Sequence, residues 1–231
     1  MNLHPLLLCA ALAAPFFPLP AQADDMGAPL GSLGVFHVRV ESLKERAFRS
    51  TVRQRYDFSC GSAALATLLN FHYGTPTREE DTFAAMYRTG DQAKIQRVGF
   101  SMADMKRYLD ARGFQANGFK VGLDDFAQAG IPAIVLINNG GYRHFVVVKG
   151  ISASRVLIGD PALGTRTLTR PEFEANWGGV VFVILNRKEQ GQRSFNRDPE
   201  WRVREPAPLS AARYDPAFAN VTWLRPPATD F

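Results

Sequence analysis

The stretch Gln-Arg-Tyr-Asp-Phe-Ser-Cys-Gly, residues 54–61, marks the boundary between a polar segment and a long apolar run. The run is rich in helix-forming residues with apolar spacing, and it predicts a buried helix over about residues 60–72. Asp57 or Ser59 is expected to cap this helix through a short side-chain oxygen. Cys60 would then lie in the first turn, where unpaired N–H groups and the helix dipole favour the thiolate.

Two interpretations of Cys60 follow from this segment. In the first, the cysteine is a nucleophile, and Gly61 leaves room for a substrate backbone close to the sulfur. In the second, Cys60 is a buried structural thiol, because cysteine is among the most frequently buried residues. The segment alone does not distinguish them.

The composition of the chain excludes several functional classes. Its 231 residues suit one domain with appendages, and a net charge of +5 without a Lys/Arg block argues against nucleic-acid binding. We find no zinc-ligand spacing, no phosphate-binding glycine loop and no paired-acid motif. The sequence therefore predicts no metal and no cofactor.

The first 23 residues have the features of a signal peptide. Residues 6–14 form an apolar core that is too short to span a bilayer, and Ala21-Gln22-Ala23 fits a small-x-small cleavage site. The sequence thus predicts a periplasmic protein with no permanent membrane span. Cleavage would also remove Cys9 and leave Cys60 as the single thiol, which favours a reactive role in an exported protein.

The remaining chain predicts helices first and an antiparallel sheet afterwards, which is an α+β pattern. Residues 24–47 are interpreted as an N-terminal arm with a strand at 35–40, and residues 43–54 as a further strand or extended lead-in. Residues 88–99 are interpreted as a loop, and residues 187–231 as an irregular extension rich in Arg, Pro and aromatic residues. Helices are predicted at about 60–72, 77–87, 101–112, 123–128 and 169–177, and strands at about 114–121, 131–137, 144–149, 155–159 and 180–185.

A nucleophilic thiol requires a base, and three histidines follow the predicted signal. His72 would lie on the same helix as Cys60 at a distance of roughly 18 Å, too far to serve it. His37 alternates with apolar residues on the early strand and is expected to face outward. His144 begins a buried strand after a glycine-rich turn, which is a good position for a catalytic group.

The predicted hairpin of strands 144–149 and 155–159 supplies an acid for His144. In an antiparallel pair the start of the first strand lies beside the end of the second, so Asp160 is expected next to the imidazole. The alternative for Asp160 is a turn residue before Pro161. Gln54, six residues before Cys60, is a candidate oxyanion donor together with the backbone N–H of Cys60.

These residues resemble the C39 peptidases, a papain-like family of cysteine peptidases that cleave double-glycine leader peptides. The resemblance rests on Gln54-x5-Cys60-Gly61, on the Tyr142–Val148 strand, on Asp160-Pro161-Ala162-x-Gly164 and on the helix from Phe173 to Gly179. It covers about residues 48–186 and implies a papain-like α+β fold. It further implies Cys60 as nucleophile, His144 as base, Asp160 as orienting residue and Gln54 in the oxyanion hole.

The chain departs from most C39 peptidases because it predicts a signal peptide instead of a fused transporter. In this it resembles the stand-alone C39-like protein of functional-amyloid export systems. That resemblance implies an exported protein or peptide as substrate, such as an amyloid subunit or its secretion partners. The alternative function is a C39-like binding module that holds and guides an exported protein without turnover.

Overall fold

The computed structural model describes residues 28–29, 35–36 and 41–202 of the chain, which form two compact units. The first unit, residues 1–41, contains the antiparallel strands β1 (Ala28–Pro29) and β2 (Val35–Phe36). The predicted signal peptide, His37 and residues 203–231 lie outside the described residues.

The second unit contains a group of helices and a six-stranded sheet. The strands lie in the order β3-β8-β4-β5-β6-β7, and every neighbouring pair is antiparallel. The helices are α1 (Leu43–Ala47), α2 (Cys60–His72), α3 (Glu79–Thr89), α4 (Gln92–Val98), α5 (Met102–Asp110), α6 (Leu123–Ala129), α7 (Arg170–Asn176), α8 (Lys188–Ser194) and α9 (Asp198–Trp201). The strands are β3 (Ala116–Lys120), β4 (Ala133–Asn139), β5 (Tyr142–Ile151), β6 (Arg155–Asp160), β7 (Gly164–Thr169) and β8 (Trp177–Ile184). The predicted α+β class is confirmed.

Apolar side chains cover both faces of the sheet. On one face, Leu65 and Leu68 of α2 share a buried cluster with Phe145 and Val147 of β5. On the other face, strand residues such as Val146 pack in a second cluster around α6 and α7. Alternate residues of β5 point to opposite faces, so one apolar strand serves both clusters. This packing holds the start of α2 over the sheet.

Three segments differ from the sequence-based expectation. Residues 43–47 form α1 rather than a strand, because Ser42 and Glu45 make a capping box. Residues 92–98 form α4 rather than a loop, with Asp91 as its cap. The strand β7 was not predicted, because its residues lack an apolar alternation: it is an edge strand that pairs only with β6.

The extension predicted to be irregular begins with two helices, α8 and α9. Asn196, between them, exchanges hydrogen bonds with Ile151 through its side-chain amide, at 2.7 Å to the backbone N and 3.1 Å to the carbonyl O. Its backbone N also donates to the carbonyl of Lys149 at 2.9 Å. Residues 188–201 are therefore ordered against the end of β5. No helix among the described residues has the length and apolarity needed to cross a bilayer.

Candidate active site

Cys60 is the first residue of α2, and its side chain is a free, buried thiol with an exposed fraction of 6%. Neither predicted cap is present. The hydroxyl of Ser59 instead bonds with the backbone of Tyr56, accepting from its N–H and donating to its carbonyl. Among the described residues, no side chain therefore caps the N–H groups in the first turn of α2.

Gly61 has a different role from the predicted one. It is buried, and a Cβ at this position would lie 2.9 Å from Cε of Met105 and 3.0 Å from Cβ of Phe100. The missing side chain lets α2 pack closely on its neighbours. Gly61 thus supports the position of Cys60 by packing rather than by opening space for a substrate.

Gly61→Ala is expected to lower the free energy of unfolding by about 1–3 kcal/mol, because the added methyl group overpacks this contact. Urea unfolding followed by circular dichroism measures the change. Gly178→Ala is the matched control, since no atom lies within 4 Å of a Cβ at that position. Equal stability of the two variants would contradict the packing role.

His144 lies on β5, and the structure brings its side chain to Asp160 at the end of β6. The exposed fraction of His144 is 4%, and its Nε2 lies 2.8 Å from Oδ1 of Asp160. Its Nδ1 is buried and has no partner within hydrogen-bond geometry among the described residues. Nδ1 is therefore the nitrogen left to exchange a proton with the thiol.

Burial alone would lower the pKa of His144, but its partners reverse this effect. The hydrogen bond to Asp160 and the interaction with Cys60 stabilise the imidazolium and raise the pKa from 6.5 to about 9. Cys60 contributes to this increase in pKa, so its side chain lies within interaction range of the imidazole. The structure thus assembles a thiol, an imidazole and a carboxylate in that order.

Asp160 is almost fully buried and accepts hydrogen bonds from several donors. Oδ1 accepts from the backbone N–H groups of Ala162 and Leu163 at 2.9 and 3.2 Å, in addition to His144. Oδ2 accepts from Nε and Nη2 of Arg166 at 3.1 and 3.0 Å. Burial would raise the pKa of Asp160, but these donors outweigh it and hold the pKa below its usual value. Asp160 is therefore a carboxylate at neutral pH.

The sequence analysis assigned no role in the site to Arg166 or to Tyr142. Arg166 lies on β7, the strand without an apolar pattern. The Tyr142 hydroxyl donates to the carbonyl of Asp57 at 3.0 Å, and its ring stacks on His144 with a centroid distance of 5.8 Å. Its position two residues before His144 on one strand was the available signal, because such residues share a face. Tyr142 therefore joins the loop before Cys60 to the strand that carries His144.

Gln54 is held beside Asp160 by its backbone, because its N–H donates to the carbonyl of Pro161 at 3.0 Å. Its side-chain Nε2 donates to the carbonyl of Tyr56 at 3.1 Å, and its Oε1 is buried with no hydrogen-bond partner in the part of the chain that the structure describes. None of the described hydrogen bonds joins Gln54 to Cys60. The structure thus places Gln54 near the acid and leaves its oxyanion role as a prediction.

His72 lies at the opposite end of α2 from Cys60, as the helix spacing requires. Its Nδ1 is 2.9 Å from the hydroxyl of Ser194, and burial lowers its pKa to about 3. A neutral histidine in this position joins α2 to α8. It takes no part in the site.

Comparison with known proteins gives matches to one family of peptidases. The profile of the peptidase C39 family matches residues 49–189. The chain is 45% identical over 151 residues to the probable functional amyloid protease FapD of Pseudomonas fluorescens, covering 65% of this chain and 67% of that protein. It is 41% identical over 170 residues to a protein of the same name from Pseudomonas aeruginosa, covering 73% and 75% of the two chains.

The fold is similar to a solved peptidase domain. The peptidase domain of Streptococcus ComA, a bifunctional ABC transporter, superimposes with a TM-score of 0.50 at 22% identity, covering 58% of this chain and 96% of that domain. This likeness confirms the predicted papain-like arrangement of helices against an antiparallel sheet. Taken with the family match and the two relatives, it establishes that the chain belongs to the peptidase C39 family and is a cysteine peptidase.

Proposed function

We propose that the chain is an exported endopeptidase in which Cys60 is the nucleophile, His144 the base and Asp160 the residue that orients the imidazole. The observation that carries this proposal is the position of His144, which binds Asp160 through Nε2 and couples to the Cys60 thiol. A buried acid beside the imidazole fixes its orientation and stabilises its positive charge.

The reaction begins when the Cys60 thiolate attacks the scissile carbonyl carbon and forms a C–S bond. The carbonyl oxygen becomes an oxyanion, which the backbone N–H of Cys60 and Nε2 of Gln54 stabilise. An amide nitrogen carries two hydrogens, so Nε2 can keep its bond to Tyr56 while it donates to the oxyanion. The imidazolium of His144 then protonates the leaving amine, and the C–N bond breaks.

Water completes the cycle. His144, now neutral, removes a proton from the water that attacks the acyl-enzyme, and the C–S bond breaks to release a carboxylic acid. The Cys60 thiolate and the His144 imidazolium are thereby restored. No step requires a metal or a cofactor.

The proposed substrate is an exported polypeptide, and the class favoured is a functional-amyloid subunit or one of its secretion partners. Two observations support this: residues 1–23 predict a signal peptide, and the two relatives are named as probable functional amyloid proteases. We further propose a periplasmic location and a peptidase domain over residues 48–186, with residues 24–47 and 187–231 as appendages.

Incubation of the full chain with a purified functional-amyloid subunit or secretion partner tests the proposal. We expect a defined pair of products by mass spectrometry, and no products after alkylation of the thiol with iodoacetamide. Cleavage that persists after complete alkylation would reject the thiol mechanism. Binding of the substrate without any cleavage would favour the alternative binding module.

The pH dependence of cleavage follows from the raised pKa of His144. The imidazolium that protonates the leaving amine is lost as the pH rises through about 9, so kcat/KM is expected to fall about tenfold per unit above that pH. The pKa of His144, followed by NMR, is expected to decrease in Cys60→Ala because the interaction with the thiol is removed. An unchanged His144 pKa in that variant would contradict the pairing of the two side chains.

A further inference from the structure

A cavity lies at the other end of α2 from Cys60. It has a volume of about 620 Å³ and is bounded by α1, the last turn of α2 and α9. Four arginines line it, together with Ser50, Glu200 and two residues with apolar surface, Phe71 and Pro199. The arginines are Arg46, Arg49, Arg197 and Arg202. The catalytic mechanism uses none of these residues.

The charge of the cavity is strongly positive. Arg46, Arg197 and Arg202 form no ion pair with another residue in the described part of the chain, and Arg46 and Arg197 are exposed. Glu200 is the single acid among the described residues of the lining, and it is paired with Lys149. Three of the four arginines therefore line the cavity without a paired acid among the described residues.

The walls of the cavity are held in place by a buried lysine. Lys149 has an exposed fraction of 0%, and its Nζ donates at 2.7 Å to both the carbonyl and the hydroxyl of Ser50. The same ammonium group pairs with Glu200 of α9 and lies 5.5 Å from the ring centroid of Phe71. Lys149 thus contacts residues on three sides of the cavity. These contacts hold the lining of the cavity in place.

We propose that this cavity binds an acidic segment of the polypeptide substrate, which deepens the proposed function and rests on it. Guanidinium groups bind carboxylates through paired, charge-assisted hydrogen bonds. Phe71 and Pro199 add apolar surface that suits the side chains between acidic residues, whereas an isolated inorganic anion would not use it. The chemistry of the cavity therefore favours a peptide with alternating acidic and apolar residues.

The position of the cavity fixes a minimum spacing in the substrate. Phe71 follows Cys60 by eleven residues on α2, which corresponds to roughly 16 Å along the helix axis. An extended chain covers about 3.3–3.6 Å per residue, so about five residues are needed to span that distance. We therefore expect the acidic segment at least about five residues from the scissile bond.

Peptide binding to the full-length Cys60→Ser protein tests the proposal without turnover. A fluorescent peptide of alternating Glu and Leu is expected to bind, and its counterpart with Gln in place of Glu to bind at least tenfold more weakly. Arg46→Gln combined with Arg197→Gln should weaken binding of the acidic peptide at least tenfold. The matched control is Arg88→Gln combined with Arg97→Gln, an equal charge change at exposed positions of α3 and α4, and it should leave binding within twofold.

Two outcomes would overturn the assignment. If the cavity variant and the control variant weaken peptide binding equally, the acidic peptide is held by a general charge attraction to a basic protein and not by the cavity. Tighter binding of a single-stranded oligonucleotide through the same arginines would assign the cavity to nucleic acid instead of polypeptide. Thermal unfolding of each variant verifies that the substitutions leave the fold intact.

A cleavage assay with wild-type Cys60 separates this inference from the proposed function. All peptides share one scissile sequence. In two of them the acidic segment lies about six residues before or after the scissile bond, and in their counterparts Gln replaces each Glu of that segment. We expect a lower KM for one acidic peptide, with kcat unchanged, and loss of that advantage in the Arg46/Arg197 variant. If no peptide is cleaved, the peptidase assignment fails while the binding measurement still decides the role of the cavity.

Discussion

Cys60→Ala is expected to reduce kcat/KM for peptide cleavage by at least about 10⁴-fold, since it removes the only atom that forms a bond to the substrate. Substrate affinity is expected to stay within a few-fold, because the substitution leaves the arginine-lined cavity unchanged. Quenched-flow or fluorogenic assays give the rate, and anisotropy gives the affinity. The residual rate reflects only oxyanion stabilisation and substrate positioning.

Cys60→Ser is the control for this loss. It replaces the sulfur with a slightly smaller oxygen in a site where Cys60 is 6% exposed, so the fold is expected to be retained, and thermal unfolding verifies this. Serine at this position is expected to remain at least about 10³-fold below wild type, because a hydroxyl is a far weaker nucleophile than a thiolate. Normal processing of the exported substrate in cells carrying Cys60→Ala would reject the peptidase mechanism.

Asp160→Ala is expected to lower kcat by about 10²–10⁴-fold, because His144 loses the acceptor that orients Nε2 and stabilises its charge. The pKa of His144 should fall in the same variant, since the Asp160 hydrogen bond is a principal cause of its increase. Asp160→Asn should lose less activity, because an amide oxygen still accepts from Nε2. A pH–rate profile and histidine NMR measure both effects.

Asp160→Ala also has a large expected effect on stability. The Arg166 side chain is 16% exposed and binds Oδ2 of Asp160 through two nitrogens, so removal of the carboxylate leaves a largely buried charge unpaired. The free energy of unfolding should decrease by about 2–4 kcal/mol, somewhat less than for a fully buried pair.

A second substitution distinguishes the structural role of Asp160 from its catalytic role. Adding Arg166→Met to Asp160→Ala removes the unpaired charge and should restore part of the lost stability. Activity should remain low, because the imidazole still has no acceptor. Recovery of kcat along with stability would mean that Asp160 acts only by holding the fold together.

Local signals in the sequence were sufficient to predict many of the helices and strands of this structure. The apolar run after residue 59 determined α2, and the capping boxes at Ser101 and Thr169 determined the starts of α5 and α7. The approach of His144 to Asp160 was also predictable, because a hairpin brings its two ends together through chain connectivity alone.

Elements with weak local signals were not predictable. α4 buries only one residue, Ile95, so it has no apolar period to detect. β7 lies at the edge of the sheet and consists mostly of Gly, Thr and Arg. Because β7 was not predicted, Arg166 on that strand and its hydrogen bonds to Asp160 were not predicted either.

By itself, the sequence determined the residue types of the site and the position of each within its own element. Only the tertiary structure decided that Cys60 meets His144, because 84 residues separate them and the contact depends on the packing of α2 against β5. The arginine cavity has the same origin: Ser50 and Glu200 lie far apart in the chain and are joined through Lys149. Contacts of this kind have no local signature, because they depend on how whole elements bury their apolar faces.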